Sequence, residues 1–131
     1  MVNYFMNRML YPQEIEVFYI IPSLKRQLSM YMKLNGLKQS EVADLLQIDK
    51  ATVSQYISKK RGSTVEFDED TLNEIAKSAK IIKDQVSLVT EIQRLLNVSK
   101  KNKTLCKVHQ QVCNGFGNCT EELQKMCLRS Y

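Results

Sequence analysis

The most informative part of the chain is Leu37–Ser58, which reads LKQSEVADLLQIDKATVSQYIS. Its apolar residues recur at helical spacing in two short runs, 39–46 and 50–58, with three residues between them. Asp49 precedes the second run, where its carboxylate can accept a hydrogen bond from an amide of the first turn. The pattern therefore predicts two short helices that cross at a sharp angle.

The apolar residues of this stretch lie where a helix-turn-helix motif needs its core, and the small Ala43 allows the two helices to approach closely. The predicted core residues are Val42, Leu46, Ile48, Val53, Tyr56 and Ile57. Gln47 takes a turn position that often holds Gly, because the backbone there is left-handed. A Gln in that conformation costs about 1 kcal/mol.

The outer face of the second helix carries short polar and small side chains, which suit contact with base edges in the major groove. At the start of the preceding helix, Gln39 and Ser40 lie where backbone amides favour phosphate. The other predicted DNA contacts are Lys50, Ala51, Thr52, Ser54, Gln55, Lys59, Lys60 and Arg61. The alternative is a helical hairpin with a polar surface and no DNA ligand.

Charge and composition agree with a nucleic-acid partner without requiring one. The chain has 131 residues, of which 44% are hydrophobic and 25% charged, so we expect a folded chain of one domain or a domain with an appendage. Its net charge is +5, and the interval 50–61 holds four basic residues and no acidic one, whereas 67–74 is acidic. With one His and no Gly-rich phosphate loop, we expect neither an enzyme nor a small-molecule substrate.

We predict an all-α protein with at most one short extended segment, over 64–67. It divides into an N-terminal arm (1–11), a DNA-binding domain (12–67), a helical dimerisation segment (68–99) and a cysteine-rich module (100–131). No apolar stretch is long enough to cross a bilayer and no export leader opens the chain, so we expect a cytoplasmic protein with no membrane partner.

Helix boundaries outside the motif follow from Pro, Gly and the apolar spacing. We expect Pro22 to end or kink a first helix, which places Ile15, Phe18 and Tyr19 on one side, and then to open a second helix ending at Asn35-Gly36.

A long apolar seam follows the motif, with steps of three and four residues. Its positions are Leu72, Ile75, Ala79, Ile82, Val86, Val89, Ile92 and Leu96. A helix of this length predicts either a break near Lys83-Asp84 or pairing with a second helix. We favour a homodimer, and the alternative is a monomer in which this segment packs back on the motif. Lys100, Lys101 and Lys103 are predicted to form a solvated linker.

All four cysteines lie at the end of the chain, at Cys106, Cys113, Cys119 and Cys127, with six, five and seven residues between them. Zinc knuckles usually contain closely paired cysteines, which are absent here, whereas dispersed thiolates suit the corners of an iron–sulfur cluster. We therefore predict a 4Fe-4S cluster on these thiols. The alternatives are zinc, for which His109 could replace one thiol, thiol–disulfide switching, and cysteines that are merely buried.

Two further stretches carry a family resemblance that reaches beyond the helix-turn-helix motif, namely 12–28 (PQEIEVFYIIPSLKRQL) and 53–62 (VSQYISKKRG). Over residues 12–96 or so, the chain resembles small archaeal transcriptional regulators of the XRE (lambda-repressor-like) helix-turn-helix family. Some of these regulators have a Cys near the position of Gln13, and others append an effector domain for which this chain is too short. The resemblance implies a repressor or activator that binds a DNA operator as a homodimer.

We therefore expect a DNA-binding transcriptional regulator whose C-terminal cysteines hold an iron–sulfur cluster and sense redox, oxygen, iron or sulfur status. Three alternatives stay open: a zinc-stabilised regulator of the same family without redox sensing, an antitoxin-like autorepressor, and an electron-transfer protein. Each alternative predicts a different observation. The zinc-stabilised regulator would contain bound zinc, the antitoxin would co-purify with a toxin, and the electron-transfer protein would hold a cluster but would not bind DNA specifically.

Overall fold

The computed structural model describes residues 10–58 and 65–112, with side chains as far as His109. The described residues are mostly helical and none lies in a β-strand, which confirms the all-α prediction; residues 65–68 are irregular chain. The elements are α1 (Pro12–Ile15), a π turn (Glu16–Ile20), α2 (Ile21–Leu34), α3 (Gln39–Leu46), α4 (Lys50–Ile57), α5 (Glu69–Ile81), α6 (Gln85–Lys101) and α7 (Thr104–Val112).

The first three elements form one continuous helical path. Pro22 has no amide hydrogen, and its ring would clash with a carbonyl one turn earlier in a regular α-helix. The wider π turn comes just before this residue, and Pro22 then lies in the first turn of α2. Pro22 thus lies at the start of a helix as predicted, but it does not end the helical path that precedes it. At the other end, Gly36 adopts a φ of +95°, as the predicted C-cap requires.

Helix α2 lies at the centre of the described structure, where it packs against α3, α4, α5 and α6. Leu24, Leu28 and Met32 are fully buried on it, and they belong to a single hydrophobic core that extends from Leu10 to Val108. The motif helices and the helices that follow them are therefore held on the same core. Helix α7 packs against α1, the π turn and α6.

The long apolar seam is broken at Ile82, Lys83 and Asp84, as predicted, and α6 packs against α5 after the break. Asp84 caps α6, since its Oδ1 accepts a hydrogen bond from the amide of Ser87 at 2.8 Å. Most of the seam is buried within this chain, whereas Val86 is 75% exposed and Val89 is also exposed.

Three predictions about where side chains face are wrong. Ile57 is 40% exposed because Val53 and Tyr56, three residues apart, take the inward face of α4 and leave Ile57 at its edge. Phe18 is exposed next to the buried Tyr19, since the π turn shifts the register of the predicted apolar side. Lys100 is buried instead of lying in a solvated linker, because α6 continues through it and directs its side chain toward the buried Glu16.

Candidate nucleic-acid interface

Helices α3 and α4 are joined by a tight turn whose geometry depends on Gln47. This residue has φ 55° and ψ 46°, the left-handed conformation predicted for the position. The next amide, that of Ile48, donates to the carbonyl of Ala43 at 3.0 Å and closes the end of α3. The Gln47 side chain is exposed, so the turn accepts it without displacing the core.

Asp49 begins α4 as predicted. Its Oδ1 accepts a hydrogen bond from the amide of Thr52 at 2.6 Å and so satisfies one of the free amides of the first turn. The inner face of the helix is fixed by Val53 and Tyr56, both buried. Together, the cap and these two side chains determine which residues of α4 face outward.

The outer face of α4 is formed by Lys50, Ala51 and Ser54, all exposed. Of the other predicted contacts, Thr52 and Gln55 are half-buried, and the Oε1 atom of Gln55 is buried. Lys59, Lys60 and Arg61 lie outside the described residues. The described structure therefore brings one basic side chain and two small ones together on a convex helix face.

Gln39 connects the two motif helices at the start of α4. Its Nε2 donates to the Lys50 carbonyl at 3.2 Å and also to the Ser54 hydroxyl. The side-chain amide of Gln39 is thus hydrogen-bonded within the chain. The groups left at this end of α3 for a ligand are the backbone amides of its first turn, where Ser40 is half-buried.

Arg26, which sequence reasoning missed, contacts the opposite end of α4. Its Nε donates to the Tyr56 carbonyl at 3.2 Å, and its side chain is only 7% exposed. Arg26 lies on the other side of α2 from Leu24 and Leu28, where an amphipathic helix would expose it to solvent. No sequence signal marked it, because the burial of α2 on several sides is a property of the tertiary fold.

Residues 28–67 match the helix-turn-helix family model. This match supports the interpretation of α3 and α4 as a helix-turn-helix motif. This segment is a helix-turn-helix domain. The match begins within α2 and contains both motif helices, which supports the predicted XRE type and DNA as the ligand. No curated protein matches the chain, and neither does any solved structure.

Beyond the helix-turn-helix domain, an ionic network connects α5 and α6. Arg94 donates to the carboxylates of Glu74 and Glu91, and to the hydroxyl of Ser78 at 2.7 Å. Hydrogen bonds from Arg94 and Lys77 hold the pKa of Glu74 below its usual value. Glu74, Lys77 and Arg94 line a surface cleft between α5 and α6.

The cysteine prediction falls mostly outside the described residues, which include Cys106 but not Cys113, Cys119 or Cys127. Cys106 lies half-buried on α7, and His109 follows one turn later, buried. The Nε2 atom of His109 has no hydrogen-bond partner among the described residues. Within this part of the chain, no three His, Cys, Asp or Glu side chains are grouped closely enough to hold a metal ion.

Among the described helices, none is both long enough and apolar enough to cross a bilayer.

Proposed function

We propose that this protein is a transcriptional regulator that binds a specific duplex DNA sequence as a homodimer. The helix-turn-helix domain at residues 28–67 is the observation that carries this proposal. Its second helix, α4, keeps its apolar face in the core and directs Lys50, Ala51 and Ser54 outward. A helix exposed in this way fits the major groove of B-DNA.

Each of these side chains can make a different kind of contact with DNA. The Ala51 methyl can contact a thymine methyl, the Ser54 hydroxyl can donate to or accept from a base edge, and Lys50 supplies a positive charge. At the start of α3, backbone amides and the helix dipole favour a phosphate group. Lys59, Lys60 and Arg61 would add phosphate contacts after α4.

The first test is selection of bound duplexes from a random library by the full-length protein, followed by Kd measurements on the selected and scrambled sequences. We expect Lys50→Glu to weaken binding to the selected site by at least about tenfold. Lys80→Glu is the matched control, because it reverses the charge of another exposed lysine, on α5. Failure to enrich any sequence, or equal losses in the two variants, would contradict the proposal.

The homodimer has its own test. A dimer that reads two half-sites predicts a selected sequence with two-fold symmetry and half-site centres about 34 Å apart. Sedimentation of the full-length protein should give twice the chain mass, both free and on DNA. A single unrepeated site bound by one chain would exclude this part of the proposal.

We further infer that Cys106, Cys113, Cys119 and Cys127 bind an iron–sulfur cluster, which is an oxidation-sensitive centre when bound. The support is the confinement of every cysteine to the end of the chain, together with the half-buried position of Cys106. Because α7 packs on α1 and the π turn, a change at Cys106 would act on the helical path that leads into the helix-turn-helix domain.

This inference is tested by anaerobic purification with iron, acid-labile sulfide and zinc assays and absorption spectroscopy. Matched iron and sulfide, both lost in Cys119→Ser, are the expected result. One zinc per chain and no sulfide would replace the cluster by a structural zinc site. A metal content unchanged in Cys119→Ser would remove this residue from the site.

A further inference from the structure

Helix α4 is too short to hold its own position. It has eight residues, about two turns, and an isolated helix of that length is not stable in water. Its orientation relative to DNA must therefore come from contacts with its neighbours. Apart from the buried Val53 and Tyr56, these contacts include polar side chains from α2 and α3.

The polar contacts are placed at the two ends of the helix. Gln39, from α3, donates to the Lys50 carbonyl in the first turn and to the Ser54 hydroxyl in the middle. Arg26, from α2, donates to the Tyr56 carbonyl in the last turn. A pair of contacts at separate ends restrains a short helix from pivoting, which neither contact does alone.

The contact made by Arg26 is strong for physical reasons. It is a charge-assisted hydrogen bond from a side chain that is almost fully buried, so water competes little for the donor. The positive charge also lies at the carboxyl end of α4, where the helix dipole is negative. Both effects stabilise one position of the last turn against α2.

We propose that Arg26 is a positioning residue for DNA recognition, which fixes the last turn of α4 and so sets the angle at which Lys50, Ala51 and Ser54 meet the bases. The inference rests on the proposed function. Arg26 is buried and hence acts through α4. Base contacts depend steeply on distance and angle, whereas non-specific binding depends on charge and tolerates a shifted helix.

The test uses full-length Arg26→Met, which keeps the aliphatic stem and removes the guanidinium group. The measured quantity is the ratio of the Kd for scrambled DNA to the Kd for the sequence selected by the wild type. We expect this ratio to fall about tenfold, while the Kd for scrambled DNA changes by less than about twofold. Stoichiometric titration at high protein concentration gives the active fraction, so that unfolded protein does not count as lost affinity.

Arg94→Met is the control, because it removes another arginine whose hydrogen bonds join two helices, in this case α5 and α6 instead of α2 and α4. It should lower stability and leave the ratio unchanged. Arg26→Lys provides a second variant, since it retains the charge without a donor at the Nε position, and it should also reduce the ratio. Amide exchange in the last turn of α4 should be faster in both Arg26 variants than in Arg94→Met.

The outcomes separate this inference from the function on which it rests. If the wild type selects no sequence, the proposed function fails and the role of Arg26 fails with it. If the wild type discriminates and the Arg26 variants discriminate equally well, only the positioning role is overturned. Parallel losses of the ratio in Arg26→Met and Arg94→Met would reduce Arg26 to a contributor to global stability.

Discussion

At the scale of the residue, the turn between α3 and α4 depends on a backbone conformation that side chains disfavour. Gln47 holds φ 55°, for which a residue with a Cβ atom pays about 1 kcal/mol. The turn survives because it is fixed on both sides, by the end of α3 and by the Asp49 cap. Local capping therefore sets the crossing of the two helices, and Gln47 adapts to it.

The cost at Gln47 predicts how substitutions there behave. Gln47→Val should lower the free energy of unfolding by about 1 kcal/mol, because a β-branched side chain clashes most in the left-handed region. Gln47→Gly should stay within about 0.5 kcal/mol of the wild type, since the relief of strain opposes the greater freedom of the unfolded chain. Urea denaturation measures both. A Val variant as stable as the wild type would contradict the left-handed turn.

Three carboxylates predict how stability depends on pH. Hydrogen bonds lower the pKa of Glu74 (from Arg94 and Lys77), of Asp68 (from Thr71) and of Asp84 (from Ser87) relative to ordinary values of 4.5 for Glu and 3.8 for Asp. A folded pKa below the unfolded value stabilises the protein above the unfolded pKa, and this contribution disappears as the pH falls through the folded pKa. Stability should therefore decline below pH 4.5.

Glu74→Gln tests the largest of these networks. It removes a group that titrates, so the variant should lose less stability than the wild type between pH 5 and pH 3, while it is less stable at neutral pH. Urea midpoints at several pH values measure the difference. Identical pH profiles for the variant and the wild type would show that the Arg94 contact contributes nothing to the acid response.

At the scale of the element, the π turn is attached to α6 by a buried ion pair. Lys100 Nζ lies 3.9 Å from Glu16 Oε1, and the two side chains are 5% and 4% exposed. Charges so far from water depend on each other, because each would otherwise lose its solvation without compensation. The pair therefore fixes the N-terminal helical path to the end of α6, next to α7.

This dependence predicts a double-mutant cycle. Lys100→Met should lower the free energy of unfolding by about 3 kcal/mol or more, because it leaves the buried Glu16 carboxylate without its ammonium partner. Glu16→Leu combined with Lys100→Met should recover most of that loss, since neither charge of the pair is then left in the interior. Chemical denaturation of the two single variants and the double variant measures the coupling. Additive losses would mean that the two charges do not interact.

The elements predicted well are those whose determinants are local. Asp49, Gly36 and the break at Asp84 are written in short sequence signals, and the structure places each as predicted. Arg26 and Lys100 were missed because polar residues at such positions are normally solvated. Only the packing of α2 and α6 between other helices buries them, and that packing involves residues far apart in the sequence.

At the scale of the whole molecule, the positive charge should make DNA binding sensitive to salt. The chain carries a net charge of +5, so phosphate contacts release counterions and affinity falls as salt rises. Between about 50 and 200 mM salt, we expect affinity for any duplex to fall at least about tenfold, and Lys50→Glu to flatten the logarithmic slope by at least about one unit. Fluorescence anisotropy over a salt series measures this. A slope near zero would exclude phosphate contacts.

For the whole molecule, the sequence predicts the fold class and the helix-turn-helix domain but not the packing that joins that domain to the other helices. The all-α class and the helix-turn-helix domain followed from periodicity and spacing, since both are properties of short segments. Sequence could not show that one hydrophobic core joins this domain to α5, α6 and α7, because core membership depends on long-range contacts. The dimer and the four-cysteine cluster stay predictions for the experiments proposed above.

The way α4 is held has a consequence for how such a protein would diverge. The side chains of Lys50 and Ala51 are exposed and make none of the hydrogen bonds from Arg26 and Gln39 that fix α4. These two residues can therefore mutate as an operator changes. Ser54 cannot do so alone, because its hydroxyl also receives Gln39. Descendants with new DNA preferences should therefore vary first at positions 50 and 51, and should exchange residues 39 and 54 together, while Arg26 persists.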